Sequence, residues 1–242
     1  MRIVFVRHCE PDYTIDSLTP RGWEEASLLA DRVSKWNVDD FYMSPLGRAK
    51  DTAKVSLDRR AELGLNHEAS VLPWLKEFYY DLKYPDTNEP CMCWDHMPSY
   101  FSGNKDLHDK DRWYDTDLMR SGNIRAEYEA VTSAFDELLK GYGYVRRSDG
   151  TYEVTSHNDK TIVMFCHFGV TALLTGHMTG VAPTCLWQNF FMAPSSVTII
   201  GSEEREEGTA SFRVQVFGDT AHLTSKNESV SSSGYFAEVL SI

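Results

Sequence analysis

Three short stretches of this chain could converge on an anion. Arg7-His8 directly follows the apolar run 3–6, and His167 directly follows the run 161–166. Ser44-Pro45-Leu46-Gly47-Arg48 follows a third apolar stretch at 41–43. A neutral imidazole can act as a nucleophile or carry a proton near neutral pH. Arginine offers a planar fork of donors suited to phosphate oxygens. The start of a helix adds free N–H groups and a partial positive charge. A lone histidine or a lone helix arginine reads more simply as a structural or solvated side chain. Two histidines and two arginines just beyond the ends of apolar runs make a shared site the better reading.

The elements that must hold these residues are legible around them. Four apolar residues in a row at 3–6, and six largely apolar ones at 161–166, suit strands buried on both faces of a parallel sheet. Residues 41–43 form another short strand. Thr19-Pro20 is a cap followed by a proline at the first helical position. It opens a helix with Trp23, Ala26, Leu29, Ala30 and Val33 on one apolar face. Ser44-Pro45 is a second such start, with Gly64 as its stop. Residues 123–139 and 171–178 read as further helices. Residues 197–200 and 212–217 read as a hairpin joined by the acidic loop 202–208. The serine-rich stretch 225–234 reads as a solvated tail.

Strands alternating with helices imply a three-layer α/β/α sandwich with a mostly parallel central sheet. In such a sheet the ligand crevice lies beyond the carboxyl ends of the strands, where Arg7, His8 and His167 fall. The chain reads as a single domain, 1–242, interrupted by an insertion at about 83–123. That segment has three prolines, six aromatic and eight acidic residues, and no sustained period. A long irregular stretch of this kind reads as a lid or binding loop over the sheet.

Composition narrows the function. The net charge of −12 argues against a general nucleic-acid or anionic-membrane partner, so an anion would have to be held by a few arginines in one pocket. No apolar stretch reaches the ~18 residues of a membrane span. The first residues, 1–6, are too short an apolar run for a signal peptide. Five cysteines without a regular framework fit a reducing, cytoplasmic compartment. Cys91, Cys93, His96 and His108 could be read as a zinc cluster, but Cys-x-Cys is not the usual zinc spacing and no second close pair follows. No metal and no cofactor are expected. The aromatic residues of the insertion could stack on a substrate or form the insertion's own core. Oligomeric state leaves no mark in the sequence.

With those residues in view, the chain resembles the histidine phosphatase superfamily, the phosphoglycerate mutase-like family. Arg7-His8-Cys9-Glu10 is similar to its Arg-His-Gly-Glu signature. Leu18-Thr19-Pro20-Arg21-Gly22 with Ala26, and Ser44-Pro45-Leu46-Gly47-Arg48-Ala49 with Thr52-Ala53, match in order. Glu77 in Leu75-Lys76-Glu77, Cys166-His167-Phe168-Gly169, and Asp219-Thr220-Ala221-His222-Leu223 follow. The insertion is the part these segments do not cover.

The resemblance implies the phosphoglycerate mutase-like fold and a phosphomonoester hydrolase acting through a phosphohistidine on a small phosphorylated metabolite. His8 would be the nucleophile, and Arg7, Arg48 and His167 would hold the phosphoryl oxygens together with it. Glu77 would be the general acid and then the base. Two alternatives stand beside this: a phosphoglycerate mutase-type phosphotransferase, and a non-catalytic module that binds phosphorylated ligands. The intact set of nucleophile and acid speaks against the binder. Cys9 and Phe168 stand where the family usually has glycine, which bears on pocket shape. Pro11 and Thr14 stand where the cofactor-dependent mutases carry Ser and Asn, which favours hydrolysis.

Overall fold

The computed structural model describes residues 1–239 of the chain. In chain order, β1 (Arg2–Arg7) leads to a small hairpin, β2 (Pro11–Asp12) and β3 (Ser17–Leu18), and then helix α1 (Pro20–Val33). β4 (Asp40–Met43) is followed by α2 (Gly47–Glu62), and β5 (Ala69–Val71) by a 3₁₀ turn at Pro73–Leu75. A second hairpin, β6 (Asp81–Lys83) and β7 (Pro90–Met92), and the short helices α3 (Pro98–Gly103) and α4 (Asp117–Arg120) precede the long α5 (Ile124–Gly141). β8 (Tyr144–Arg146), β9 (Tyr152–Val154) and β10 (Thr161–Cys166) come before α6 (Phe168–Thr179) and α7 (Pro183–Asn189). β11 (Val197–Glu206), β12 (Thr209–Asp219) and α8 (Ala221–Thr224) complete the described elements.

Eight strands form one sheet in the order β5-β4-β10-β1-β11-β12-β9-β8. The half β5-β4-β10-β1 is parallel, and β11, β12, β9 and β8 extend it by antiparallel pairing. The period of two along the parallel strands explains the layers. Ile3 and Phe5 of β1, with Ile162 and Met164 of β10, join the core beneath α5 and α6. Val4 and Val6, with Val163 and Phe165, join a separate core beneath α1 and α2. Both faces are therefore dry, which is why these strands read as unbroken apolar runs.

The helices start where capping chemistry allows. The Thr19 hydroxyl accepts the Gly22 N–H at 3.0 Å, and Pro20 occupies the first turn of α1. Trp23, expected on the buried face, is instead 41% exposed, and Gly22 and Glu25 take the inner positions. A Cβ at residue 22 would strike the Glu10 carbonyl, so α1 packs directly on the loop beyond His8. Helix α2 begins at Gly47 rather than at Pro45 and gives way to Gly64 at φ +79°. Helix α6 begins at Phe168, earlier than residue 171, because it is buried on nearly all sides and carries no apolar stripe to mark its start.

Two further expectations change. The acidic stretch 202–206 is not a loop but the outer part of β11, and the turn to β12 falls at Gly208, φ +69°. The stretch 225–234 is not a free tail. Ser231 is 1% exposed, and its hydroxyl donates to Glu10 Oε2 at 2.6 Å. Arg21 Nη2 donates to the Ser229 carbonyl at 2.6 Å, and Arg7 Nη2 lies 3.4 Å from the Ser233 carbonyl. Serines and main-chain carbonyls are good partners for buried charge, so a polar composition here marks docking rather than solvation.

In the insertion, Leu107, Trp113, Leu118 and Met119 are fully buried and belong to the same core as Ile3 and Phe5. Trp113 stacks edge-on against Trp187 of α7 at 5.4 Å between ring centroids. Its elements are too short to show a period, which is why the segment looked irregular.

Candidate active site

The parallel strands deliver four of the five candidate residues to one edge. Arg7 ends β1 and His8 follows it; His167 follows β10; Arg48 lies in the first turn of α2, beyond β4. Glu77 arrives from the turn after β5. The His8 and His167 rings lie 5.0 Å apart with a 58° tilt. His8, His167 and Arg7 are 1%, 0% and 7% exposed.

Hydrogen bonds assign the two imidazoles their tautomers. His8 Nδ1 lies 2.7 Å from the Cys9 carbonyl, an acceptor only, so Nδ1 carries the proton and Nε2 keeps its lone pair. Burial, then the nearby Arg7, hold the His8 pKa well below that of free imidazole, and Arg48 adds to this against the Cys9 carbonyl. The ring is a neutral base with its free nitrogen available. His167 Nε2 lies 2.7 Å from Ser44 Oγ, which itself accepts the Leu46 N–H at 3.2 Å. The serine proton is thus left for Nε2, and His167 Nδ1 becomes a donor with no partner among the described residues. Burial, with His8, Arg48 and Arg7 adding to it, keeps His167 neutral as well.

The arginines share a pattern. Arg7 Nη1 donates to the Met192 carbonyl at 2.5 Å, and Arg48 Nη1 donates to Asp16 Oδ1 at 2.6 Å. In both, the buried Nε has no partner. Arg48 is held through Nη1, and Arg7 through Nη1 with Nη2 3.4 Å from the Ser233 carbonyl, so in both the Nε–H is left for an anion.

Glu77 Oε1 accepts the N–H of Phe78 at 2.9 Å and of Val170, in the first turn of α6, at 3.2 Å. Oε2 has no hydrogen bond among the described residues. Loss of water raises the Glu77 pKa above the usual carboxylate range, against the pull of Arg7, the two N–H groups and Arg48. A Cβ on Gly169 would stand 2.6 Å from Oε1, so glycine makes room for the carboxyl. The neighbouring Phe168 is half-buried, its ring 5.9 Å from the Arg7 guanidinium carbon and edge-on to Trp94. Cys9 packs into the core under α1 and α2, away from the anion site.

Sequence reasoning passed over several residues that support this constellation. Ser44 read as a helix cap, yet it orients His167. Ser195, at φ +61°, gives its N–H to the His8 carbonyl at 3.1 Å and is braced by His222 Nε2 at 3.0 Å. Asp16 carried no signal beyond its charge. Elsewhere, a surface cavity of about 550 Å³ in the insertion is lined by Asp86, Asp106, Asp115 and Asp117 with only Arg120 to offset them, the wrong charge for a phosphate ester. Among the described residues no three His, Cys, Asp or Glu side chains are grouped to hold a metal ion, so Cys91, Cys93, His96 and His108 do not form a cluster. Nor is any helix long and apolar enough to cross a membrane.

Residues 3–83 match the sequence profile of the histidine phosphatase superfamily (branch 1). No curated protein sequence matches the chain. Among solved structures, a phosphoserine phosphatase from Entamoeba histolytica superposes with a TM-score of 0.58 at 19% identity, over 92% of this chain and 98% of that one. A mycobacterial glucosyl-3-phosphoglycerate phosphatase gives 0.58 at 18% identity, over 90% and 99%. The α-ribazole phosphatase from Shigella flexneri gives 0.54 at 21% identity, over 88% and 95%. At such identities the likeness carries the fold. The profile match covers the first third of the chain, and the likeness to these phosphatases extends over about nine-tenths of it.

Proposed function

We propose that the protein is a phosphomonoester hydrolase that works through a phosphohistidine at His8. The observation that carries this is the buried, neutral His8, with Nδ1–H tied to Cys9 and Nε2 free, beside Arg7, Arg48 and His167. His8 Nε2 would attack phosphorus while the bond to the ester oxygen breaks. The Nε edges of Arg7 and Arg48 and the His167 Nδ1–H would take the equatorial oxygens, where charge spreads. Glu77, whose pKa burial raises, would in its protonated form give an Oε2 proton to the leaving oxygen. Its carboxylate would then take a proton from water as that water attacks phosphorus, and the P–N bond electrons would return to His8.

Hydrolysis is favoured over mutase transfer by the hairpin beyond His8. Pro11 is buried in β2, and Thr14 gives its N–H and hydroxyl to Asp12 Oδ1 at 2.9 and 2.5 Å, so neither offers a side chain to a second phosphorylated ligand. A pure binding module would have no use for a carboxyl raised in pKa opposite a nucleophile. The substrate class is a small phosphorylated metabolite, as with the phosphoserine, glucosyl-3-phosphoglycerate and α-ribazole phosphate named for the similar structures. Five free cysteines support a cytoplasmic setting. The side-chain clamp supports turnover without a metal, and activity lost to a chelator and restored by metal would refute that part.

The test is a panel of phosphomonoesters with ³²P-labelled substrate and a quench into alkaline detergent, in which a P–N bond survives. Labelled phosphate should be trapped on His8, and His8→Ala should abolish label and turnover together. Arg48→Ala and His167→Ala should each lose on the order of 10²-fold in kcat, the scale of one transition-state donor. Label found elsewhere with His8→Ala still active would overturn the assignment.

A further inference from the structure

We propose that Asp16 is a positioning residue for phosphate capture, holding Arg48 so that the Nε side of its guanidinium faces the phosphoryl group. The inference rests on the phosphomonoesterase reading of this pocket. Asp16 lies at the tip of the hairpin β2–β3, and its carboxylate divides between two groups of the first turn of α2. Oδ1 accepts from Arg48 Nη1 at 2.6 Å, and Oδ2 accepts from the Gly47 N–H at 2.7 Å.

The contact is built into the fold. Asp16 adopts φ +48°, a left-handed conformation that Asp and Asn tolerate better than other side chains. A Cβ at residue 47 would collide with the Asp16 carbonyl, so Gly47 is the residue that lets the hairpin dock. Ser17 Oγ ties the same hairpin to Asp51 of α2 at 2.5 Å. The Tyr13 ring lies over the Arg48 guanidinium, 5.3 Å from its carbon. Arg48 is therefore gripped from above by a ring and from one end by a carboxylate. Arg7 is also held at Nη1, by the Met192 carbonyl, with Nε free, although its Nη2 lies 3.4 Å from the Ser233 carbonyl. Nη1 is the nitrogen remote from the Nε–H edge of the fork, so capturing it leaves the pair of donors that can meet two phosphate oxygens side by side.

A carboxylate bound to the same arginine and helix start could instead be an internal competitor that phosphate must displace. The glycine-cleared docking, the Ser17–Asp51 tie and the division of the carboxylate between two donors favour a fixed tether.

The test uses Asp16→Asn, which keeps the size, the left-handed backbone and an acceptor for Gly47 but removes the charge partner of Arg48. Steady-state kinetics on nitrophenyl and alkyl phosphates are measured with calorimetric titration of inorganic phosphate, in the wild-type and Arg48→Ala backgrounds. The tether requires kcat and phosphate affinity each to fall roughly tenfold in Asp16→Asn, the scale of one charge-assisted hydrogen bond, on both substrate types alike. It also requires that the loss vanish when Arg48 is already alanine, because nothing remains to be positioned. Equal losses in both backgrounds would make Asp16 merely structural and overturn the proposal. Tighter phosphate binding in Asp16→Asn would overturn it in favour of the competitor. If the wild-type protein binds phosphate but hydrolyses no ester, the hydrolase reading fails while the titration still decides the role of Asp16. A wild-type protein that neither binds phosphate nor turns over would defeat both.

Discussion

Gly169→Ala should separate the placement of the acid from the rest of the site. Helix α6 begins one residue earlier, so alanine at 169 is intrinsically favoured over glycine there by about 0.8–1.0 kcal/mol. The new Cβ would stand 2.6 Å from Glu77 Oε1, 3.0 Å from the Phe78 carbonyl and 3.2 Å from Trp94 Cδ1. Ordinary contact starts near 3.4 Å, so relief at Oε1 takes a retreat of about 3.4 − 2.6 = 0.8 Å. Phe78 is 2% exposed and stacked on Trp187, so its backbone has little room to yield. The carboxyl, at the end of a flexible side chain, is what moves. A displacement near 1 Å costs on the order of 10²-fold when it misaligns a reacting group. Alkyl phosphates, whose alkoxide needs a proton, should lose about that factor in kcat/KM. Nitrophenyl phosphate, whose phenolate leaves unaided, should lose little, and the melting temperature should hold within a few degrees. The retreat also breaks the two N–H bonds that favour the carboxylate, so the Glu77 pKa should rise further and the alkaline limb of the rate profile should move to higher pH. Equal losses on both esters, or undiminished turnover of alkyl phosphates, would refute this account of Glu77.

Other perturbations test other parts of the structure. Burial raises the Glu25 pKa from 4.5 to about 7, mainly against the Glu10 N–H that its Oε2 accepts. An acid whose folded pKa is raised binds more protons in the folded state, so its contribution to stability is lost as pH rises from about 4.5 to 7. Glu25→Gln should therefore leave denaturant stability near pH 4 almost unchanged and raise it at pH 8 by roughly 1–3 kcal/mol, an order of magnitude set by the pKa shift; no gain at pH 8 would contradict it. Ser231→Glu would set a carboxylate against Glu10 and release the segment after α8, so limited proteolysis should cut there much faster than in the wild type. Cys9, Cys93 and Cys166 are buried with their thiols raised in pKa, so native-state alkylation should reach Cys91 and Cys185 first, read by mass spectrometry of tryptic peptides.

The division between what the sequence shows and what it hides follows from how each feature is encoded. Strands β1 and β10 declare themselves because burial on both faces demands an unbroken apolar run, and the residues after them fall on the crevice by topology alone. Helix α1 is legible through Thr19-Pro20, a local cap. Helix α6 is blurred because burial on all sides erases its stripe. Residues that act by reaching across the chain leave no local mark. Ser44 meets His167 across 123 positions, and Ser231 meets Glu10 across 221. The serine-rich end looked solvated because its polarity was visible while the charges it serves, Glu10, Arg21 and Arg7, lay elsewhere in the sequence.

The charge of the pocket follows from these placements. Were His8 or His167 protonated, each would face a second imidazole 5.0 Å away and two guanidinium groups in a dry setting. Both are instead neutral, so the fixed positive charge at the site is that of Arg7 and Arg48. A phosphate dianion entering would match those two charges in a protein whose net charge is otherwise −12. Burial and the two guanidinium groups, rather than the anion, hold His8 Nε2 unprotonated. If Glu77 is the acid, an incoming anion would raise its proton affinity further. On that reading, the dianion held by the arginines would itself prepare the acid, coupling binding and protonation through one field. A substrate carrying a monoanionic, alkylated phosphate would satisfy the arginines less and raise Glu77 less. Methyl esters of good substrates should therefore fail by loss of kcat as well as by weaker binding, and a phosphodiester turned over with an unchanged kcat would break the coupling.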